Sequence, residues 1–563
     1  MSNDECNSSR FGWNRFSSRK GTGKSWPFIA LLIIAAIFLA ACGGKWTGTS
    51  NTTSDTTVAS GRMTTESAQM AMPSATPAPG EDEPLYNTES YSHIDENPFL
   101  EAARAPLSTF SIDVDTASYS NTRRFLKDGQ LPPKDAVRIE ELVNYFSYDY
   151  PQPVGNAPFS VTAEIAEAPW NTQHRLVHIG LQGKRIPVES LPPANLVFLL
   201  DVSGSMNEPR KLPLVKSAVR MLTEQLRARD RVAMVVYAGS SGLVLPSTSG
   251  DRKGEILAAI DRLEAGGSTN GGAGIQLAYR IAQENFIRGG TNRVILATDG
   301  DFNVGTTSEG DLVRLIEEKR QSGVFLSVLG FGTGNVKDST MEKLADKGNG
   351  NYAYIDTLNE ARKVLGEQIG GTLFTIAKDV KIQVEFNPRQ VTAYRLIGYE
   401  NRLLRDQDFN DDTKDAGEIG AGHTVTALYE IVPFGQKYEN PGVDPLKYQK
   451  PAQPSEMANS NELMTVKLRY KEPDENQSKL ISVSLADSKA KLDTASENFK
   501  FASAVAEFGM LLRDSKYKAQ ASYNKVLELA RSSTGADTQG YRSEFIQLVE
   551  TARMLSSQRA SRD

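Results

Sequence analysis

Between residues 195 and 374 the apolar residues are spaced differently from those in the rest of the chain. LVFLLDVS is an unbroken apolar run that ends on Asp201, the pattern of a strand buried on both faces of a parallel sheet. LPLVKSAVRMLTEQLRA follows with helical spacing, then RVAMVVYAG as a second strand. DRKGEILAAIDRLEA and GIQLAYRIAQENF read as helices, NRVILATDGD as a strand and EGDLVRLIEEKRQSG as a helix. VFLSVLGFG, TMEKLADKG, NYAYID and NEARKVLGEQI continue as strand, helix, strand and helix. This alternation predicts α/β architecture: right-handed crossovers and an open, mostly parallel sheet with helices on both faces.

The flanks have a different period. FSIDVDTASYS, Phe110 to Ser120, alternates like a strand leading into a turn. IEELVNYF has helical spacing that stops before Pro151. FSVTAEIAEAPW and RLVHIGLQGKRI read as the strands of a hairpin. Beyond Gly371, KDVKIQVEFNPRQVTAYRLIG, HTVTALYEIVPF and ELMTVKLRYKEP read as antiparallel strands, with RDQDFNDDTKDAGEIGAG as a charged loop. From Ser496 the tail is helical: FKFASAVAEFGMLLRDS, YNKVLELARSS and RSEFIQLVETARML. Residues 97–194 therefore read as an N-terminal α+β domain. Residues 375–563 read as a C-terminal domain of strands then helices. The α/β unit is inserted between these β-rich flanks.

The N-terminus has the layers of an export signal. Arg10, Arg15, Arg19, Lys20 and Lys24 precede WPFIALLIIAAIFLAA, which ends in small residues just before Cys42. The run is short against the roughly 20 residues of a membrane span. Residues 42–96, with TGTSNTTSDTTVAS and MPSATPAPG, hold too little apolar surface to fold and read as a tether. The chain of 563 residues has two cysteines, Cys6 and Cys42, so no disulfide framework is expected. A net charge of −6 gives no basic footprint for nucleic acid. The GTGKS at Gly21 to Ser25 lacks the preceding strand and the first glycine of a phosphate loop. The stretch LAAC resembles the lipobox of bacterial lipoproteins. That resemblance implies cleavage after residue 41, a diacylglycerol on the Cys42 sulfur and attachment to the cell envelope. Gly43, in place of an aspartate, points to the outer membrane.

In an open parallel sheet, ligands sit beyond the C-terminal ends of the strands. Three loops are expected there: DVSGS with Asp201, Ser203 and Ser205; GGSTN with Thr269; and ATDGD with Asp299 and Asp301. Every side chain in the set offers oxygen, the preference of Mg²⁺ and Ca²⁺. Each residue alone could equally cap a helix, because Ser, Thr and Asp are the preferred caps. Convergence of three separate loops favours a cation. Asp301 and Asn303 could support such a site or satisfy the loop backbone. Asp406, Asp408, Asn410 and Asp412 begin like a calcium loop, but Asp411 and Gly417 break the pattern. His174 and His178 fall on a strand without the glutamate of a zinc protease.

The combination D-x-S-x-S, a distant threonine and a later T-D-G resembles the metal ion-dependent adhesion site of von Willebrand factor type A (vWA) domains. STFSIDVDTASYSNTRRFL, RIEELVNYF, TDGDFNVG and GNGNYAYIDT extend the likeness to a bacterial lipoprotein family with this domain at its centre. The resemblance implies that Asp201, Ser203, Ser205, Thr269 and Asp299 hold Mg²⁺, or another divalent cation such as Ca²⁺ or Mn²⁺. It implies an open coordination position that accepts an acidic residue of a partner protein. The expectation is a membrane-anchored binding module rather than an enzyme. Two rivals stay open: a metal-dependent hydrolase, and an envelope-assembly protein in which the metal only stabilises the fold.

Overall fold

The computed structural model describes residues 88–561, apart from 268–270, 301–308, 369–370, 372–373, 439–446 and 449–452. The signal peptide, Cys42 and the tether up to residue 87 lie outside the described residues, as do Thr269, Asp301 and Asn303. Thr88 and Ser90 fall inside the stretch read as tether, yet they donate backbone N–H groups to the carbonyls of Gly334 and Val336, at 2.8 and 3.1 Å. Glu89 between them forms a buried ion pair with Arg124 at 2.8 Å.

The N-terminal flank starts with two short strands, β1 (Leu100–Glu101) and β2 (Leu107–Ser111). Where the pattern predicted a turn, helix α1 (Ala117–Lys127) forms instead. Its polar residues are buried because Arg123 and Arg124 find carboxylate partners. Helix α2 (Ile139–Asn144) follows, and β3 (Phe159–Ala168) pairs with β4 (Asn171–Gly183) as a hairpin.

The insert runs β5 (Ala194–Asp201), α3 (Leu212–Gln225), β6 (Arg231–Tyr237), β7 (Ser241–Ser249), α4 (Lys253–Asp261), α5 (Gly271–Glu284) and β8 (Thr291–Thr298). It continues with α6 (Glu309–Arg320), β9 (Phe325–Phe331), α7 (Asp338–Lys347), β10 (Tyr352–Ile355) and α8 (Leu358–Arg362), which passes into a π-turn over Lys363–Glu367. The sheet order is β10-β9-β8-β5-β6-β7, parallel except for the antiparallel edge strand β7. The apolar run of β5 explains itself here. Leu196, Phe198 and Leu200 enter one core with α3, α4 and α8, while Val197 and Leu199 enter the other with α5 and α7. Each such side chain contributes about 1.5–3 kcal/mol of burial.

The C-terminal flank supplies β11 (Thr375–Phe386), β12 (Val391–Ile397), β13 (Ile419–Gly420), β14 (Thr424–Pro433), β15 (Glu462–Lys471) and β16 (Lys479–Ala486). Consecutive strands β11 and β12 do not pair with each other. One sheet is β1-β12-β14-β4-β3, and the other is β13-β11-β15-β16 with β2 also on β11. Both flanks therefore share both antiparallel sheets. Val177, Ile179 and Leu181 face Ile382, Val384 and Leu468 in the core between them. Leu176 and Leu428 face the other way, onto the helices α9 (Glu497–Arg513), α10 (Tyr523–Ser532) and α11 (Tyr541–Ala560). Two of those helices begin where serine hydroxyls accept backbone N–H groups of the first turn: Ser496 from Phe499 and Ser522 from Lys525.

Candidate metal centre

Adjacent strands β5 and β8 belong to opposite halves of the insert, so their C-terminal ends flank the switch point of the sheet, where open α/β folds bind ligands. Asp201 is the last residue of β5, and Asp299 directly follows β8. Both are fully buried. Two ionised carboxylates withdrawn from water need compensating partners.

Asp201 has three. Its Oδ1 accepts the Ser203 backbone N–H at 2.9 Å. Its Oδ2 accepts the Tyr237 hydroxyl at 3.1 Å and the Thr298 hydroxyl at 3.4 Å. The Ser203 hydroxyl makes no helix-capping bond; it lies 3.0 Å from the Ser205 hydroxyl. Ser205, exposed on the rim, hydrogen-bonds in turn to Asp299. Asp299 also receives the Asn335 side chain and, at 3.1 Å on Oδ2, the Lys211 ammonium. Four of the five expected site residues are thus joined in one chain of contacts, Asp201–Ser203–Ser205–Asp299.

The fifth, Thr269, lies outside the described residues. The loop just before it is tied to the first loop by two backbone bonds: Gly266 N–H to the Val202 carbonyl at 2.7 Å, and Gly204 N–H to the Gly267 carbonyl at 3.0 Å. Gly300, after Asp299, has φ +101°, and a Cβ there would lie 2.7 Å from the Asn335 carbonyl oxygen. Only glycine lets that turn approach the loop that carries Asn335.

The two carboxylates differ electrostatically. Burial raises the Asp201 pKa, and nearby Asp299 adds to the rise, against hydrogen bonds from Ser203 and Tyr237. Burial acts in the same direction on Asp299. There the Asn335 hydrogen bond, the Lys211 charge and the Ser205 hydroxyl outweigh it and hold the pKa below the usual carboxylate value. The donor set is all oxygen, with buried carboxylates and a pair of hydroxyls that keep free lone pairs. It fits a hard divalent cation, with Asp201, Ser203, Ser205 and Asp299 to hold it.

The sequence did not point to Tyr237, Thr298, Asn335 or Lys211. Two of them carried a signal: Tyr237 is paired with Asp201 at the end of β6, and Thr298 immediately precedes Asp299. Lys211, just before α3, carried none.

A family model described as von Willebrand factor type A domain matches residues 195–367. One described as von Willebrand factor matches 85–178, and one described as Uncharacterized protein YfbK, C-terminal, matches 371–555. The protein of that name, Uncharacterized protein YfbK of Escherichia coli (strain K12), is 46% identical over 475 residues, covering 83% of this chain and 81% of the relative. The chain belongs to the YfbK family. The family's chain carries at its centre a vWA domain, a type known for metal-dependent protein interactions. Human inter-alpha-trypsin inhibitor heavy chain H4 is 30% identical to the YfbK-family chain over 163 residues, 27% of this chain and 17% of the human protein. Among solved structures, von Willebrand factor type A from Catenulispora acidiphila aligns with 69% of this chain and 90% of its own at 17% identity and a TM-score of 0.38.

Proposed function

We propose that the protein is a lipid-anchored, metal-dependent binding module of the cell envelope, not an enzyme. In this reading a divalent cation, Mg²⁺ foremost, is held by Asp201, Ser203, Ser205 and Asp299, with Thr269 as a further ligand. When bound, the ion supplies a Lewis-acidic position for a carboxylate of a partner protein. The chain's own residues do the rest. Tyr237 and Thr298 fix the Asp201 carboxylate, Asn335 and Lys211 fix Asp299, and the exposed Ser205 opens the site to solvent. The observation that carries the reading is the linkage of Ser203 and Ser205 on one loop to Asp299 on another, beside two buried carboxylates. The lipobox-like LAAC at Leu39 to Cys42 supports the anchor.

The test is a pull-down from envelope extract with the full chain, in magnesium and in chelator. A partner retained only in magnesium, and lost with Asp201→Ala at unchanged thermal stability, is the expected result. Equal capture in chelator and by the variant would overturn the reading.

A further inference from the structure

Residues 88–90, near the end of the stretch read as tether, are bonded to the loop that holds Asp299. That loop, 332–337, joins β9 to α7, and its Asn335 side chain donates to the Asp299 carboxylate. It meets the centre at two more points. A Cβ on Gly300, the residue after Asp299, would lie 2.9 Å from Val336 Cα, and a Cβ on Gly332 would sit 2.5 Å from Lys211 Cε. Neither place has room for a methyl group, so a shift of the loop is felt at Asp299 and at Lys211.

The docking of residues 88–90 is specific. Thr88 and Ser90 donate their N–H groups to the Gly334 and Val336 carbonyls, and the Lys337 ammonium donates to the Thr88 carbonyl. Thr88 and Ser90 are exposed, but the Glu89 side chain between them is only 3% exposed. Its Oε1 accepts the Gly334 N–H at 2.9 Å. Its Oε2 accepts the Arg124 guanidinium of α1 at 2.8 Å and the Tyr91 hydroxyl at 3.1 Å. A carboxylate is withdrawn from water only where such partners compensate it. Glu89 therefore joins the loop behind Asp299 to the N-terminal flank.

We propose, resting on the metal-binding reading above, that Glu89 with the backbone of Thr88 and Ser90 positions the metal centre. Docked, the segment holds loop 332–337 where Asn335 reaches Asp299. Released, it frees the loop, and the centre holds its cation less tightly. The coupling is reciprocal: the free energy that docking adds to cation binding is the free energy that the cation adds to docking. The segment leads back to Cys42, so the centre is linked to the anchor side of the chain.

The experiment uses the full chain and Mg²⁺ alone. In the native chain, saturating Mg²⁺ is expected to slow amide hydrogen exchange at Thr88, Ser90 and Gly334 by about fivefold or more, while the amides of α10 keep their rates. Calorimetric titration then compares the native chain with the double variant Thr88→Pro and Ser90→Pro, which removes both N–H donors. The variant is expected to bind Mg²⁺ about fivefold or more weakly, with an unchanged Tm in chelator. In an Asn335→Ala background the same two prolines are expected to change Mg²⁺ affinity by less than about twofold, because the coupling passes through Asn335. Native chain that binds Mg²⁺ with those three amides slowed no more than α10, a proline variant that binds as tightly as the native chain, or a proline effect undiminished beside Asn335→Ala overturns the proposal and leaves the metal-binding reading standing. If the proline variant fails to fold, exchange in the native chain decides alone. No Mg²⁺ binding by the native chain overturns the metal-binding reading, and the proposal with it.

Discussion

The protein gathers carboxylates in two places and treats them in opposite ways. Where the insert meets the flanks, arginines close them off. Arg123 bonds Asp356 and Glu360 at 2.8 Å and Glu544 at 3.1 Å, with the Tyr145 hydroxyl at 2.9 Å. Arg138 reaches Asp338, Glu141 and Glu342, and Arg402 reaches Asp113, Asp115, Glu342 and Asp346. At the C-terminal edge of the parallel sheet, Asp201 and Asp299 are met mainly by hydroxyls, an amide and one lysine. A guanidinium is donor-only and forks across a carboxylate, consuming its lone pairs. A hydroxyl donates once and still offers lone pairs. The first arrangement locks two parts of the chain together, whereas the second holds its carboxylates in place chiefly through hydroxyls, which keep lone pairs of their own.

The comparison breaks most forcefully at the seam. Arg123→Met would strand Asp356 and Glu360 as buried, unpaired carboxylates. A loss of about 3–5 kcal/mol in chemical denaturation is expected. A loss under 1 kcal/mol would mean that the seam is held by packing alone.

The second effect is of pH. Burial pushes Glu141 and Glu342 up to about 7 and Asp113 up to about 8, with Arg138 and Arg402 opposing. The folded protein then holds protons that unfolded carboxyls, with pKa values near 4, have released. Their stabilising contribution is complete below about pH 4 and is lost as pH rises from there through 7 to 8. Burial lowers His178 and His423 to about 4, so stability also falls as pH drops from about 6.5 toward 4. Tm should be higher at pH 6 than at pH 8, by the equivalent of about 1–3 kcal/mol. A Tm at pH 8 equal to or above that at pH 6 would contradict this account of the seam.

The smallest effect is expected at the rim. Ser205→Ala, at an exposed position, should change stability in chelator by no more than about 0.5 kcal/mol. A loss above 2 kcal/mol would make Ser205 a structural residue and erase the contrast between the two regions.

The sequence showed the strong half of this picture. LVFLLDVS and NRVILATD are buried on both faces, so their apolar runs are continuous and their ends could be read directly. Those ends put Asp201 and Asp299 at the same edge of the sheet. The edge strand β7 was not legible: SGLVLPSTS contains Pro246 and is half exposed, which blurs its period. In β16, Ile481, Val483 and Leu485 do alternate with serines, but they are only partly buried. Helix α1 was missed because it buries arginines and hydroxyl residues in place of an apolar stripe. The pairing of β11 and β12 with different partners follows from long-range register, which a local pattern does not contain. Lys211 was missed for the same reason: only the fold brings a lysine beside an aspartate 88 positions away.

The central claim is that one cation is shared by side chains from separate loops. Calorimetric titration of Mg²⁺ into the native full chain, Ser205→Ala and Asp299→Asn tests it most directly. One binding event in the native chain, weakened about tenfold or more by each single substitution, is the predicted result. No binding by the native chain, or binding that neither substitution alters, would contradict it.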